Sequence, residues 1–84
     1  MNKQWIAFHL QEALEQLQQT LSEMTASSYG ESELRFDMQH AYHHLNTAWN
    51  SRAVTDQQTS DASAHDFHLW RRFPSDLDMA YRTR

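Results

Sequence analysis

The sequence predicts an all-α fold in which an antiparallel helical hairpin and a short third helical segment assemble into a helical bundle. The 84 residues include one glycine and one proline, whereas a β-meander needs turn residues every ~8–12 positions. Apolar side chains recur at helical spacing in two long segments. The polar connection of about six residues between these segments is typical of antiparallel neighbours. The chain is therefore predicted to be a single small helical domain over residues 1–84.

The first helix is predicted over residues 3–25. Its glutamate and glutamine side chains lie outside an arc of about 100° that contains the large aliphatic side chains of the segment. The helix is expected to end before Gly30, the one residue of the connection that tolerates either sign of φ. The apolar arc consists of Ile6, Leu10, Ala13, Leu14, Leu17, Leu21 and Met24.

A second helix is predicted over residues 32–53, with Ser28 followed by Glu31, or Ser32 alone, as its N-cap. The leucines of the first helix are expected to pack against the apolar arc of the second helix and to form the seam of the hairpin. Two helices cannot enclose a core, so a third segment or a second copy of the chain is expected to cover the open side. The second arc consists of Leu34, Met38, Ala41, Tyr42, Leu45, Ala48 and Trp49.

Residues 55–64 lack large apolar side chains and are predicted to form a polar loop that can include one helical turn. Ser63 and Asp66 have the spacing of a capping box. A short helix is therefore predicted over residues 65–73, ended by Pro74 and followed by a tail over residues 75–84. Three aromatic side chains of this segment are expected to clamp the hairpin, namely Phe67, Trp70 and Phe73.

Charge is distributed unevenly along the chain. Residues 1–66 contain three basic and nine acidic side chains, a net charge of −6, whereas residues 67–84 contain four arginines and two aspartates, a net charge of +2. The basic end is therefore expected to fold back onto its own acidic body or onto a sister copy. Nucleic acid is disfavoured as a partner because it needs a contiguous basic face.

The chain contains no cysteine, which excludes disulfides and thiolate metal sites, two common supplements to a thin core. Self-association is the remaining route, so a homo-oligomer such as a homodimer is expected. The lack of cysteine fits a reducing compartment. No run has the length of a signal peptide or the ~20 apolar residues of a membrane span, which predicts a cytoplasmic protein without a membrane partner.

The histidines are the residues closest to chemistry, since His40, His44 and Asp37 project from one flank of the second predicted helix. Imidazoles at positions i and i+4 can chelate zinc or another divalent metal. His65 and His68 would add ligands if the third segment packs beside them. The alternative is a polar helix face that happens to be rich in histidine, because Ala41 stands where a zinc peptidase has its glutamate base. No other cofactor is expected.

Two further hypotheses concern the same histidines. A cluster of His40, His43 and His44 facing a partner would lose affinity at low pH, because imidazoles gain charge near pH ~6.5. Asp37 with His40 or His44 is the one acid–base couple that the spacing suggests. The chain has no cysteine, and the nearest serine on that flank, Ser51, lies about two turns beyond His44, so no catalytic residue is predicted. His9 is expected to be solvated on the first helix.

Aromatic side chains also lie outside the two apolar arcs. Trp5, Phe8 and Phe36, together with Trp70, are predicted to form an interaction surface. The alternative is that the aromatic residues of the third segment cover them within one chain. The run Trp70-Arg-Arg-Phe73 mixes arginine with aromatic rings as single-stranded nucleic-acid sites do, but pairing of Arg71 and Arg72 with carboxylates of the hairpin is favoured.

The run His43-His-Leu-Asn-Thr-Ala-Trp-Asn-Ser-Arg52 and the later Arg72-Phe-Pro-Ser-Asp76 resemble segments of small uncharacterised bacterial proteins of similar length. This resemblance implies an all-helical bacterial protein and brings no activity with it. Asn46, Asn50 and Arg52 are expected to fix the returning chain around Pro74 by hydrogen bonds, or to line a small site.

These observations predict a small cytoplasmic interaction or scaffold protein that self-associates and has an unidentified protein partner. The alternative function is a divalent-metal-binding protein or metalloenzyme that uses the histidine-rich helix face.

Overall fold

The computed structural model describes residues 1–80 and contains four helices within them. These are α1 (Lys3–Glu23), α2 (Glu31–Asn50), α3 (Asp56–Ser60) and α4 (Ala64–Trp70). No strand occurs in the described residues. Helices α1 and α2 pack along their length, and α4 packs on α2. The all-α fold class is therefore confirmed.

The ends of the long helices follow from side chains that satisfy free backbone groups. The Asn2 side chain accepts a hydrogen bond from the Trp5 amide at 3.2 Å and so caps α1. Gly30, rather than Ser28 or Ser32, is the N-cap of α2, and its N–H donates to the Glu33 carboxylate at 3.2 Å. Helix α2 ends at Asn50, three residues before the predicted end at residue 53.

Capping boxes also begin the two short helices. Thr55 and Gln58 begin α3, which occupies the segment predicted as a polar loop. Ser63 and Asp66 begin α4 as the sequence predicts, because the Ser63 hydroxyl accepts the Asp66 N–H and the carboxylate accepts the Ser63 N–H. Helix α4 ends at Trp70, earlier than the predicted residue 73.

The hairpin is antiparallel, and its register is defined by three long-range contacts. The Asn2 amide donates to the Arg52 carbonyl at 2.7 Å, where α1 begins and the chain leaves α2. One turn further along α1, the Trp5 indole N–H donates to the Ser51 hydroxyl at 2.8 Å. Near the middle of the hairpin, Gln16 meets His40.

The hairpin seam is polar, so the predicted leucine seam is wrong. In the part of the chain that the structure describes, the buried apolar side chains are all alanines, and the rest of the buried seam consists of histidine, glutamine, serine and threonine. Small residues let the two helix axes approach closely, and the polar groups between them hydrogen-bond to one another. The buried side chains are His9, Ala13, Gln16 and Thr20 of α1, with Ala41, His44, Thr47 and Ala48 of α2 and Ser51.

The large aliphatic side chains instead form an exposed surface that we call the leucine face. These side chains form one row on α1 and one row on α2. Each row lies about 90° around its helix from the seam, and Leu10 of one row and Leu45 of the other line the same groove. Both rows therefore lie on one side of the hairpin. The leucine face consists of Leu10, Leu14, Leu17 and Leu21 of α1, Met24 at the C-cap of α1, and Leu34, Met38, Tyr42 and Leu45 of α2, all of which are exposed.

Helix α4 and the residues after it pack on α2 through hydrogen bonds to main-chain carbonyls. The Asn46 amide donates to the Arg71 carbonyl at 3.0 Å, and the Asn50 amide donates to the carbonyls of Trp70 at 2.8 Å and Arg72 at 2.6 Å. The expectation that these asparagines hold the returning chain is confirmed.

Aromatic and charged contacts reinforce this attachment. The Trp70 ring meets Trp5 edge-on with centroids 6.2 Å apart, and the Phe73 ring meets Tyr42 at 5.1 Å. Arg52 lies 3.7 Å from Asp76, and the hydrogen bond from Trp49 lowers the pKa of Asp76, with Arg52 acting in the same direction. Within residues 1–80 neither Arg71 nor Arg72 pairs with a carboxylate, so that prediction is wrong.

Replacing Asn50 by alanine is expected to lower the free energy of unfolding by about 1–2 kcal/mol, because two carbonyls lose their donor. Urea denaturation measures the loss, and amide exchange is expected to accelerate in α4. Gln39→Ala, at an exposed position of the same helix, is the matched control. Equal stability of the two variants would contradict this role of Asn50.

Candidate functional site

The hairpin brings three histidines and one glutamine into a continuous chain of contacts across the seam. His9 Nδ1 lies 2.9 Å from His44 Nδ1, and His44 Nε2 lies 3.1 Å from His40 Nε2. His40 Nδ1 in turn lies 2.5 Å from Gln16 Oε1. We call these four side chains the histidine chain. His9 and His44 are 5% and 8% exposed, whereas His40 reaches the surface.

The direction of each hydrogen bond follows from the glutamine end. The Thr20 hydroxyl donates to the main-chain carbonyl of Gln16, so the hydroxyl oxygen accepts from the side-chain Nε2 of Gln16 at 3.0 Å. Gln16 Oε1 must then accept from His40 Nδ1. A neutral His40 therefore accepts at Nε2 from His44, and a neutral His44 accepts at Nδ1 from His9.

The hydrogen bonds of the histidine chain are complete when all three imidazoles are neutral. Each of the three contacts uses one hydrogen, and three neutral imidazoles supply three. The one ring nitrogen left outside these contacts is His9 Nε2, which is buried without a hydrogen-bond partner. An added proton must therefore occupy a buried, unpartnered site, or two N–H groups must face each other.

The pKa values of three histidines at the seam are lowered, which also favours the neutral imidazoles. Burial, and then the neighbouring His44 and His43, lower the pKa of His9 from 6.5 to about 4. Burial lowers the pKa of His44, with His40 acting in the same direction. The pKa of His43 is lowered by burial and by the charges of His44, Arg71 and His40, and its Nδ1 is buried without a partner. His9, His43 and His44 are therefore neutral at pH 7.

The predicted metal ligands do not converge. Asp37 accepts a hydrogen bond from the Tyr29 hydroxyl at 2.8 Å, and partial burial together with this contact raises the pKa of Tyr29 to about 12. His65 and His68 lie exposed on α4. His44 presents its two nitrogens to different neighbours, so one ion would find two imidazoles. Within residues 1–80 no three His, Asp or Glu side chains are arranged to hold a metal ion.

The closed seam also restricts catalysis. A substrate cannot reach the rings of His9 and His44, which are buried between two helices. The Ser51 hydroxyl donates to the Thr47 carbonyl and accepts from Trp5, so it is engaged at both ends. The arrangement can hold or release protons, and it offers no aligned nucleophile and base.

The four residues of the predicted interaction surface do not form one exposed surface. Trp5 and Trp70 pack against each other within the chain, whereas Phe8 and Phe36 are exposed. The larger apolar surface is the leucine face on the opposite side of the hairpin.

Sequence reasoning missed His9, which was expected to be solvated and is the most perturbed histidine. A signal for its burial is present in the sequence. His9, Ala13, Gln16 and Thr20 recur at helical spacing as a stripe of small or hydrogen-bonding residues. This stripe runs beside the leucines, and two adjacent stripes on one helix predict two buried faces.

None of the helices within residues 1–80 combines the length and the apolar composition of a membrane span. Comparison with protein-family models, with curated proteins and with solved structures finds no match. The resemblance of residues 43–52 and 72–76 to small bacterial proteins stays a prediction. The fold, the polar seam and the leucine face define the class of protein. It is a small all-helical protein with a polar hairpin seam and an exposed apolar face.

Proposed function

We propose that this protein is a small cytoplasmic interaction protein that works by binding another helical surface through its leucine face. The observation that carries the proposal is the exposure of nine large side chains on one side of the hairpin. Contiguous apolar surfaces of this kind mark protein interaction sites, because water is expelled from them on binding.

The composition of the face supports a protein partner. None of its members is charged, so binding requires no charge to be desolvated. Its two stripes run along helices of 21 and 20 residues, and a helix of 20 residues is ~30 Å long. A long, shallow and uncharged surface fits the apolar stripe of partner helices better than it fits a small molecule.

The alternative of a divalent-metal protein has less support. It needs three or more ligands around one ion, and the histidine chain directs its nitrogens at one another in pairs. We therefore assign the histidines to the internal seam and the leucines to binding.

Methionine oxidation tests whether the leucine face is covered. Met24 and Met38 lie on it and are 52% and 38% exposed in the single chain. In a lysate of cells producing the protein, hydrogen peroxide is expected to oxidise Met24 and Met38 about tenfold more slowly than in the same lysate denatured with urea, because a partner shields their sulfur atoms. Mass spectrometry of tryptic peptides measures the rates. Oxidation of Met24 in the native lysate at about half its rate in the denatured lysate, the ratio expected from its exposed fraction in the single chain, would contradict the proposal.

A further inference from the structure

We infer that the occupant of the leucine face is a second copy of this chain, so that two hairpins stack face to face around a two-fold axis as a four-helix bundle. This inference rests on the proposed function, because it names the partner of the same surface.

The single chain is more extended than a compact domain of its length. Its radius of gyration is 14.8 Å, compared with about 12 Å for a compact domain of this length and about 15 Å for one twice as long. The extents of 44 × 33 × 21 Å describe a slab. Within residues 1–80 the buried apolar side chains are three alanines, Ala13, Ala41 and Ala48. A hairpin this open lacks the large buried side chains that stabilise small domains.

The excess surface has the size of a dimer interface. The chain exposes 6744 Å², whereas a compact monomer of 10.0 kDa is expected to expose about 5,200 Å². The excess of about 1,500 Å² exceeds the ~800 Å² that each partner buries in a standard interface. From their fractional exposures, the nine members of the leucine face account for roughly 800 Å² of exposed area.

Symmetry also favours a second copy, and the repulsion between two negatively charged chains is smallest at the leucine face. A two-fold interface requires one surface to complement itself, and the leucine face meets this condition because two parallel rows of similar side chains can interdigitate with the same rows of a copy. The chain has a net charge of −4, so two copies repel each other over most of their surface. The uncharged face allows contact without placing carboxylates opposite carboxylates.

Sedimentation velocity of the purified full chain from about 1 to about 100 μM tests the inference. The wild-type protein is expected to sediment as a dimer. Leu17→Glu, near the centre of the face, is expected to raise the dissociation constant about 100-fold or more, because each copy then buries a carboxylate. Ser22→Glu adds the same charge on the same helix outside the face and is expected to leave the dimer intact. Leu17→Ala keeps the test decisive if Leu17→Glu loses its helical circular dichroism, and it is expected to weaken the dimer about tenfold.

Two results would overturn the inference and have different consequences for the proposed function. A wild-type protein that remains a folded monomer at the highest concentration excludes the second copy, and protection of Met24 and Met38 in lysate would then indicate a different partner. A dimer that Leu17→Glu and Leu17→Ala leave unchanged excludes this face as the dimer interface. Without methionine protection, that result removes the proposed function as well.

Discussion

Lowering the pH from 7 to 4 is expected to reduce the free energy of unfolding by about 3 kcal/mol through His9 alone. The pKa of His9 is about 4 in the folded chain, compared with 6.5 for an ordinary histidine. Between these two values the unfolded chain binds more protons than the folded chain, so stability falls as the pH falls. The contribution of His9 is complete above pH ~6.5 and is lost by pH ~4.

Other groups around His9 act in the same direction. His43 and His44 also have lowered pKa values, and Arg71 is a further positive charge that acts on His43. No carboxylate contributes to the lowered pKa of His9. Protonation of the seam therefore meets desolvation and repulsion from like charges, and the hairpin is expected to lose stability as the pH falls from ~6.5 toward ~4.

Urea denaturation at a fixed protein concentration, repeated at intervals between pH 7.5 and 4, measures this dependence. His9→Asn keeps an N–H donor near the position of Nδ1 and does not titrate, so its stability is expected to vary less with pH. His68→Asn removes an exposed histidine of α4 and is expected to retain the wild-type profile. Equal wild-type stability at pH 7 and pH 5 would show that the seam tolerates charge.

Replacing Trp5 by alanine is expected to cost about 3 kcal/mol of stability and to release α4. Its ring packs edge-on against His9, with centroids 4.5 Å apart, and against Trp70. Its indole N–H donates to Ser51, where the chain leaves α2. One side chain therefore joins α1, the end of α2 and α4, and its removal opens a cavity among all three.

Two further variants separate the contributions of Trp5. Trp5→Phe retains much of the ring and loses the hydrogen bond to Ser51, so a loss of about 1 kcal/mol is expected. Phe8→Ala, three residues further along α1, removes an aromatic ring that is half exposed and is expected to cost less than Trp5→Ala. Limited proteolysis between α3 and α4 would report release of α4. If Phe8→Ala proves as destabilising as Trp5→Ala, the tryptophan is not the main link.

Local signals in the sequence were sufficient to predict the elements of the fold. The periodicity of residues 3–25 and 32–53 placed both long helices within about three residues of their observed ends. The Ser63–Asp66 spacing located the start of α4 within one residue. Cap geometry and helical spacing act over a few residues, so these features did not depend on the rest of the chain. The five-residue helix α3 is short enough to be hidden in a polar segment.

The sequence by itself therefore determined an all-α hairpin with a returning third segment, held by Asn46 and Asn50. Only the tertiary structure decided which stripe of each helix faces its neighbour. Periodicity predicts that an apolar stripe will be buried, but it does not distinguish burial within one chain from burial between chains. Ala13, Ala41 and Ala48 let the helices approach closely, and the histidine chain satisfies the polar groups between them. The two helices consequently pack through their polar stripes, and this packing buries His9 and leaves the leucines exposed.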